Sequence, residues 1–331
     1  MNTHAGLELS IVVPVLNEEA AVEPFVDAVD AVLPSLGLSG HEYVFVDDGS
    51  SDRTWQKLAA LAAGRTDVVG VRLLRHAGKE SALAAGLAAA RGEALVPMDV
   101  DLQDPPAVLA DLVREWRAGA QLVLARRRTR EDSWLRNSAA FLTYRLLERG
   151  GGVSIPRDVG DFRLMTRDTT RRFLALPERS RFNKGLLALV APEGAAVVDY
   201  DRPASRANDP HGSRQTLPKL LRLGTNAILS FSTWPLQALS LLGFFLLALS
   251  IIAAILGVVL RATNVLDVPG QATVVVLFAF LLGWTSLSTG ILGLYVAQIL
   301  NEVKRRPLFL VADTLGLPPD RVAQLDKVAQ G

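Results

Sequence analysis

The chain has 331 residues, of which half are hydrophobic, and its 35 basic and 34 acidic side chains give a formal net charge of +1. A charge this close to zero provides no global field that would recruit nucleic acid, so we expect no nucleic-acid partner. The sequence contains no cysteine, which excludes a disulfide framework, a thiolate metal site and a cysteine nucleophile.

The first 125 residues alternate short β-branched runs with longer stretches rich in alanine and leucine. This pattern predicts strands at 9–15, 43–46, 68–74, 94–98 and 121–124, with helices that begin near Glu18, Asp52, Lys79 and Pro106. Strands and helices that alternate in this way predict an α/β fold with a mostly parallel sheet covered on both faces.

Polar clusters follow four of the predicted strands, at 17–19, 47–52, 75–79 and 99–104. Ligands of mostly parallel sheets bind beyond the carboxyl ends of the strands. We therefore expect the four clusters to share one crevice.

Asp99 and Asp101 end the fourth apolar run with a spacing of i, i+2. If that run is a strand, alternation sends both carboxylates to the same side. Carboxylate oxygens favour Mg²⁺ or Mn²⁺, and such an ion usually keeps open positions for the phosphates of a nucleotide. The alternative interpretation is a loop in which aspartates cap the helix that begins near Pro105 and Pro106.

Regularity declines after residue 125. The pattern predicts a charged loop at 126–132, an amphipathic helix at 133–148, a flexible break at 150–152 and a helix lying in the membrane interface at 217–231. The segment from Pro307 onward is mixed, and we expect it to be peripheral.

Residues 236–260 and 271–300 carry no charge, and each is long enough to cross a hydrocarbon core of roughly 30 Å. Neither segment supplies a polar face, which argues against two buried core helices. The connection between them holds only Arg261 against Asp267, whereas both outer flanks are basic, which predicts that both ends are cytoplasmic. The flanking cations are Arg202, Arg206, Arg214, Lys219 and Arg222 before the first span, and Lys304, Arg305 and Arg306 after the second.

Four motifs occur in order along the chain. They are Ile-Val-Val-Pro-Val-Leu-Asn-Glu-Glu at 11–19, Val-Asp-Asp-Gly-Ser-Ser-Asp at 46–52, Asp-Val-Asp-Leu-Gln-Asp-Pro-Pro at 99–106 and Gly-Asp-Phe-Arg-Leu at 160–164. Together with the two apolar segments, this set resembles the inverting family 2 glycosyltransferases. Within that family it is similar to the polyisoprenyl-phosphate glycosyltransferases related to dolichol-phosphate mannose synthase and the bactoprenol glucosyltransferases.

The resemblance implies a GT-A-type fold that takes a nucleotide-diphosphate sugar donor, a polyisoprenyl-phosphate acceptor and Mg²⁺ or Mn²⁺. It also implies transfer at the cytoplasmic face of the inner membrane by a multi-pass protein, for which a homo-oligomer stays open. The expected organisation is a glycosyltransferase domain at 1–213, an interfacial segment at 214–234, transmembrane helices at 235–260 and 271–300, and a cytoplasmic tail at 301–331.

Carried onto this sequence, the family's site residues fall into four groups. The nucleotide sugar would be bound by Pro14, Asn17, Glu18, Asp47, Asp48, Lys79, Asp99, Arg126, Arg136 and Ser138, with Arg127 and Arg128 as alternatives to Arg126. The metal would be held by Asp99, Asp101 and Gln103, and Asp161 is the candidate catalytic carboxylate. The acceptor phosphate would be gripped by Arg202, Arg206, Ser213 and Arg214.

Two parts of the chain depart from the family pattern. The loop 76–79 keeps only the Gly-Lys of a common Asn-Phe-Gly-Lys run, and 211–215 reads His-Gly-Ser-Arg-Gln where relatives have a Lys-Tyr end. The same residues also have purely structural interpretations. Asp47 and Asp48 would then cap a turn, and Asp161 would form a surface ion pair with Arg163 or another arginine.

Two other functions stay open as alternatives. A processive polysaccharide synthase normally carries more spans and a Gln-x-x-Arg-Trp motif, which this chain lacks. A non-catalytic membrane scaffold that binds nucleotide would be favoured by loss of the paired carboxylates, and both are present.

Overall fold

The computed structural model describes residues 6–128, 159–178, 183–192, 195–201, 234–262 and 270–330. The chain divides into two compact units, of which the first comprises 1–137, 154–215 and 305–331 and the second 138–153 and 216–304. The helix expected at 133–148, the break at 150–152 and the interfacial helix at 217–231 lie outside the described residues.

The elements alternate between strand and helix as the sequence predicts. Up to residue 127 they are β1 (Leu9–Val15), α1 (Val22–Asp30), β2 (His41–Asp47), α2 (Thr54–Gly64), β3 (Val68–Leu73), α3 (Lys79–Ala89), β4 (Ala94–Pro97), α4 (Val108–Arg117) and β5 (Leu122–Arg127). The later elements are β6 (Val159–Thr166), α5 (Arg167–Leu174), α6 (Asn183–Val190), β7 (Ala196–Tyr200), α7 (Trp234–Ala262), α8 (Gly270–Val303), β8 (Val311–Leu315) and α9 (Pro319–Gln330).

One eight-stranded sheet organises the first unit, in the order β7-β5-β6-β4-β1-β2-β3-β8. Strands β4, β1, β2 and β3 are parallel neighbours, and β7 is parallel to β5. The central strands are buried on both faces; in β1 only Pro14 is partly exposed. Their β-branched runs suit a sheet covered on both sides, and the predicted mostly parallel sheet is confirmed.

Helix α1 begins at Val22, later than the sequence predicts. The main-chain amides of 17–19 instead donate to the side chains of Ser50, Thr54 and Asp52, over 2.9 to 3.2 Å. These bonds fasten the loop after β1 to the loop after β2. The amides that would have opened a helix are thereby satisfied by side chains from another strand end.

The C-terminal segment is part of the first unit. The sequence predicts a separate tail at 301–331. In the structure, β8 pairs antiparallel with β3 and closes that edge of the sheet. Helix α9 packs on α3 and buries Arg321, which donates to both carboxylate oxygens of Glu42 over 3.0 Å. Both of these side chains are no more than 3% exposed. An ion pair this deep contributes to the domain only while both partners are present.

The second unit contains the two long helices α7 and α8. Within the described part of the chain, Phe280–Leu300 is the stretch long and apolar enough to cross a membrane, judged by length and composition. The apolar stretch Leu236–Ile252 in α7 is shorter. One span is therefore supported here, and the second stays a proposal.

Candidate active site

An open cavity of about 240 Å³ lies beyond the carboxyl ends of β1, β2 and β4, beside the first turn of α3. The structure brings residues of all four predicted polar clusters to its wall. The predicted site residues that line it are Pro14, Glu18, Asp48, Lys79, Asp99 and Asp101.

Lys79, the first residue of α3, links two carboxylates at this cavity. Its Nζ lies 2.7 and 2.9 Å from the two oxygens of Asp99 and 3.1 Å from Oδ2 of Asp161. Asp99 follows β4 and Asp161 belongs to β6, which runs antiparallel beside β4. The strand order therefore brings together two acids that are far apart in the sequence.

Asp101 and Gln103 form a tight turn after Asp99. The main-chain amide of Gln103 donates to Oδ1 of Asp101 over 3.1 Å, and the intervening Leu102 has a φ of 55°. Asp101 is exposed, so its carboxylate faces solvent at the cavity. Within the described ranges, no group of three or more His, Cys, Asp or Glu side chains is arranged to hold a metal ion.

Asp47 and Asp48 occupy different environments at the end of β2. The buried Asp47 accepts a bond from the amide of Ser50 and lies 3.5 Å from Arg72, so it acts within the turn. Asp48 lines the cavity, and its carboxylate accepts the amides of Ala77 and Gly78 over 2.7 and 3.0 Å.

Asp48 also holds the one histidine of the cavity wall. Nδ1 of His76 lies 2.7 Å from Oδ2 of Asp48, and the His76 ring is 62% exposed. The carboxylate thus fixes the whole loop before α3, in which the sequence departs from the family pattern. The sequence assigns no role to His76, because a single histidine without metal-ligand spacing gives no signal.

Gly49 permits the close approach of this loop to β2. Its φ is +80°, and a Cβ there would lie 2.8 Å from the His76 amide nitrogen and 2.9 Å from the Arg75 carbonyl carbon. We expect Gly49→Ala to cost about 2 kcal/mol or more, because the left-handed conformation and the backbone clash add.

The matched control for that prediction is Gly64→Ala, where a Cβ would meet nothing within 4 Å at the end of α2. Thermal unfolding of the purified full chain measures both variants. An equal midpoint for the two variants would show that Gly49 is not required by the turn.

The basic residues of β5 are engaged by acids of neighbouring segments. Arg126 donates to both oxygens of Asp199 in β7 over 2.6 and 2.9 Å, and it does not belong to the described residues that line the cavity. Arg128, one of the alternatives, lies 3.7 Å from Asp201.

Arg127, the other alternative, lies nearer to the acidic motif. Its guanidinium donates to the hydroxyl of Tyr200 over 3.0 Å and to Asp104 over 3.2 Å, and that hydroxyl donates to Asp104 over 2.6 Å. Burial raises the pKa of Tyr200 to about 12, and the bond to Asp104 adds to the rise. This network anchors the loop that carries Asp99 and Asp101 to β5 and β7.

The remaining predicted residues divide into two sets. Oδ1 of Asn17 accepts bonds from the amide and hydroxyl of Ser51, so its side chain braces the two loops. The others lie outside the described residues, namely Arg136, Ser138, Arg202, Arg206, Ser213 and Arg214.

Arg163 is the largest fully buried side chain in the described part of the chain. Its Nη1 lies 3.8 Å from Oδ1 of Asp161, while its Nε and Nη2 have no hydrogen-bond partner among the described residues. Burial lowers the pKa of Arg163, and the charges of Asp161 and Glu80 oppose that shift. The ion pair considered as the alternative for Asp161 is thus present, together with the contact to Lys79.

A mostly parallel α/β sheet with an acidic cavity at its strand ends defines a GT-A-like fold. Residues 10–174 match the model of glycosyl transferase family 2. An uncharacterized glycosyltransferase of Synechocystis is 38% identical over 94% of this chain and 96% of its own length. The chain belongs to glycosyl transferase family 2, and it is a glycosyltransferase.

The chain is also similar to one further relative and to one solved structure. A prophage-derived bactoprenol glucosyl transferase of Shigella flexneri is 37% identical over 92% of this chain and 97% of its own length. Glucosyl-3-phosphoglycerate synthase from Mycobacterium tuberculosis, crystallised with Mn²⁺, UDP and glucosyl-3-phosphoglycerate, is 26% identical with a TM-score of 0.45, over 68% of this chain and 78% of that one.

Proposed function

We propose that the protein transfers a sugar, with inversion, from a nucleotide-diphosphate sugar to a polyisoprenyl phosphate at the cytoplasmic face of the membrane. The observation that carries this proposal is the 37% identity to a bactoprenol glucosyl transferase over 92% of the chain. The cavity supports it, because Lys79 supplies a positive charge there and Asp99 and Asp101 supply oxygen ligands for a divalent ion, and these two cations together would stabilise a departing diphosphate.

Asp99 and Asp101 fit a Mg²⁺ or Mn²⁺ ion that also takes the donor diphosphate. Both are hard oxygen donors at one cavity, and such ions are commonly held by one or two carboxylates together with substrate phosphates. The main-chain amide of Gln103 donates to Asp101 and holds its carboxylate in place, and Gln103 would complete this turn. When bound, the ion neutralises charge on the leaving diphosphate.

The loops after β1 and β2 would hold the nucleoside. Pro14, Glu18 and Asp48 contribute to the wall, while Asn17 and Asp47 fix the loops that carry them. On the phosphate side we assign Lys79, Arg126, Arg136 and Ser138. Because Arg126 is paired with Asp199, it would have to exchange partners to reach a diphosphate.

Asp161 would orient the acceptor rather than act as a strong base. A phosphate monoester has a second pKa of about 6, so it is already largely ionised at pH 7. Its oxygen therefore needs no strong general base. Arg202, Arg206, Ser213 and Arg214 would grip that phosphate through charge-assisted hydrogen bonds.

The acceptor proposal predicts a requirement for the lipid phosphate. With the full chain in detergent, we expect labelled sugar to pass to undecaprenyl phosphate at least about 100-fold faster than to undecaprenol, since only the former carries an ionised nucleophile. The label that partitions into butanol measures the transfer. Equal transfer to the two lipids would contradict the phosphate as acceptor.

We further propose that α7 and α8 form a two-span hairpin with both flanks cytoplasmic, as the distribution of basic residues predicts. The chain has no native cysteine, so single cysteines can be placed at Thr263, between the helices, and at the exposed Ala323 in α9. In intact cells an impermeant maleimide is expected to label Thr263→Cys only. Labelling of Ala323→Cys would contradict the hairpin and the cytoplasmic transfer site.

A further inference from the structure

Lys79 lies directly beside Asp99, a carboxylate of the proposed metal site. Its ammonium contacts both oxygens of Asp99, at 2.7 and 2.9 Å, and one oxygen of Asp161 at 3.1 Å. The side chain is 46% exposed and lines the cavity, so it is not locked in place by packing. Lys79 is therefore a cation with two anionic partners at the cavity and with freedom to move.

The charges explain why Lys79 stays there. The ammonium of Lys79 lies within ion-pair distance of both Asp99 and Asp161, so the two acids are faced by one positive charge. Without that charge, two carboxylates would stand beside one open site and repel each other.

A divalent ion cannot simply join this arrangement. A divalent ion would bind an Asp99 oxygen directly, and Lys79 Nζ already lies 2.7 Å from Oδ1 and donates to Oδ2 over 2.9 Å. Each oxygen keeps a lone pair, but an ammonium and a divalent ion on the same carboxylate would repel each other across a few ångströms. Entry of the metal is therefore favoured when Lys79 moves off Asp99.

The diphosphate of the donor offers a new partner. Lys79 has a long flexible side chain at the first turn of α3, and its cationic group is free to reorient inside the cavity it lines. Phosphate oxygens are strong acceptors for an ammonium ion. The loss of the Asp99 contact can thus be offset when metal and diphosphate arrive together.

We propose that Lys79 is an internal counter-ion that holds Asp99 and Asp161 in the donor-free protein and passes to the donor diphosphate when a divalent metal takes its place on Asp99. This inference rests on the metal site proposed above. This exchange makes metal and nucleotide binding strongly cooperative. The metal displaces Lys79 from Asp99, and the diphosphate of the nucleotide provides the new partner that Lys79 then needs. By linkage, the nucleotide strengthens metal binding by the same factor as the metal strengthens nucleotide binding.

Mn²⁺ binding, followed by electron paramagnetic resonance of the free ion, tests this directly on the full chain in detergent. The variants are Lys79→Gln, Lys79→Arg and the control Lys57→Gln, which removes an exposed ion pair between Lys57 on α2 and Glu23 on α1. Each is titrated with Mn²⁺ in the absence and presence of UDP. Lys79→Met replaces Lys79→Gln if the latter does not unfold at the wild-type midpoint.

We expect Lys79→Gln to bind Mn²⁺ alone roughly 5-fold tighter than the wild type, because the competing cation is gone. The factor by which UDP strengthens Mn²⁺ binding should shrink by about the same amount or more, since the ammonium no longer passes to the diphosphate. Lys79→Arg and Lys57→Gln should keep the wild-type coupling.

Three results would overturn the inference in different ways. If Lys79→Gln tightens Mn²⁺ equally with and without UDP, Lys79 opposes the metal but does not pass to the diphosphate. If it does not tighten Mn²⁺ at all, Lys79 is a bystander. Either result overturns the inference while the proposed metal site stands. If no variant binds Mn²⁺ even with UDP, the metal site itself fails and the counter-ion role fails with it.

Discussion

Replacing Asp101 with asparagine is expected to lower the rate of sugar transfer by at least about 100-fold, the scale on which loss of one preorganised electrostatic partner acts. The substitution keeps the shape of the side chain and removes one negative charge from the proposed metal site. Asp101 is exposed, and an asparagine oxygen can still accept the turn bond from the main-chain amide of Gln103, so the midpoint of thermal unfolding should change by no more than a few degrees.

The matched control for Asp101→Asn is Asp111→Asn, an exposed aspartate on α4 that pairs with Arg114. Its transfer rate should equal that of the wild type. Chelation supplies the complementary measurement, since EDTA should abolish transfer and added Mg²⁺ or Mn²⁺ should restore it. Undiminished transfer in EDTA would remove the metal from the mechanism.

The second large effect concerns stability. Removing Arg321 by Arg321→Met is expected to cost about 3 kcal/mol, because the buried carboxylate of Glu42 loses its closest cation and keeps only Arg91, whose Nε lies 3.5 Å away. Glu42 also accepts a bond from the hydroxyl of Ser10, so the loss would reach into β1. The transfer rate at low temperature should change far less than the unfolding midpoint, since neither residue lines the cavity.

Two companion variants separate this effect from ordinary surface electrostatics. Arg172→Met breaks an exposed ion pair with Asp168 and should cost less than about 1 kcal/mol. The double variant Glu42→Gln with Arg321→Met removes both charges and should recover part of the loss. If Arg321→Met unfolds as easily as Arg172→Met, the C-terminal segment is not held by this pair.

Much of the sheet was predictable because hydrophobic runs repeat with the period of buried strands. The predicted bounds of β1 agree with the structure, and those of β3 and β4 agree within one residue. Strand β6 was not predicted because Asp161 and Arg163 interrupt its apolar pattern. These two charged residues belong to a strand of the sheet, and Asp161 contacts Lys79 at the cavity. The alternation of polar and apolar residues along the sequence does not show this.

The C-terminal elements escaped prediction for another reason. Strand β8 has only five residues, most of them partly or fully exposed, so its sequence lacks the signature of a buried strand. Its place beside β3 depends on a contact with a segment more than two hundred residues earlier. The pairing of Arg321 with Glu42 is a tertiary fact of the same kind, and neither residue carries a local signal.

Within the candidate site, the sequence was most informative where two site residues are only two positions apart. The i, i+2 spacing of Asp99 and Asp101, together with the polar clusters after neighbouring strands, predicts that both face one crevice, and both line the cavity. Lys79 was assigned to the nucleotide sugar, but its contact with Asp161 requires the antiparallel insertion of β6 beside β4. Arg126 and its partner Asp199 come together only through the pairing of β5 with β7.

Analysis of the lipid product by mass spectrometry tests the central claim most directly. The purified full chain is incubated with Mn²⁺, undecaprenyl phosphate and, in separate reactions, a series of UDP- and GDP-sugars. The account predicts that one of these donors yields undecaprenyl phosphate heavier by a single sugar, together with free nucleoside diphosphate, and that Asp101→Asn yields neither. A lipid carrying a growing chain of sugars would identify a processive synthase, and the absence of any sugar-bearing lipid with every donor would contradict the proposed transfer.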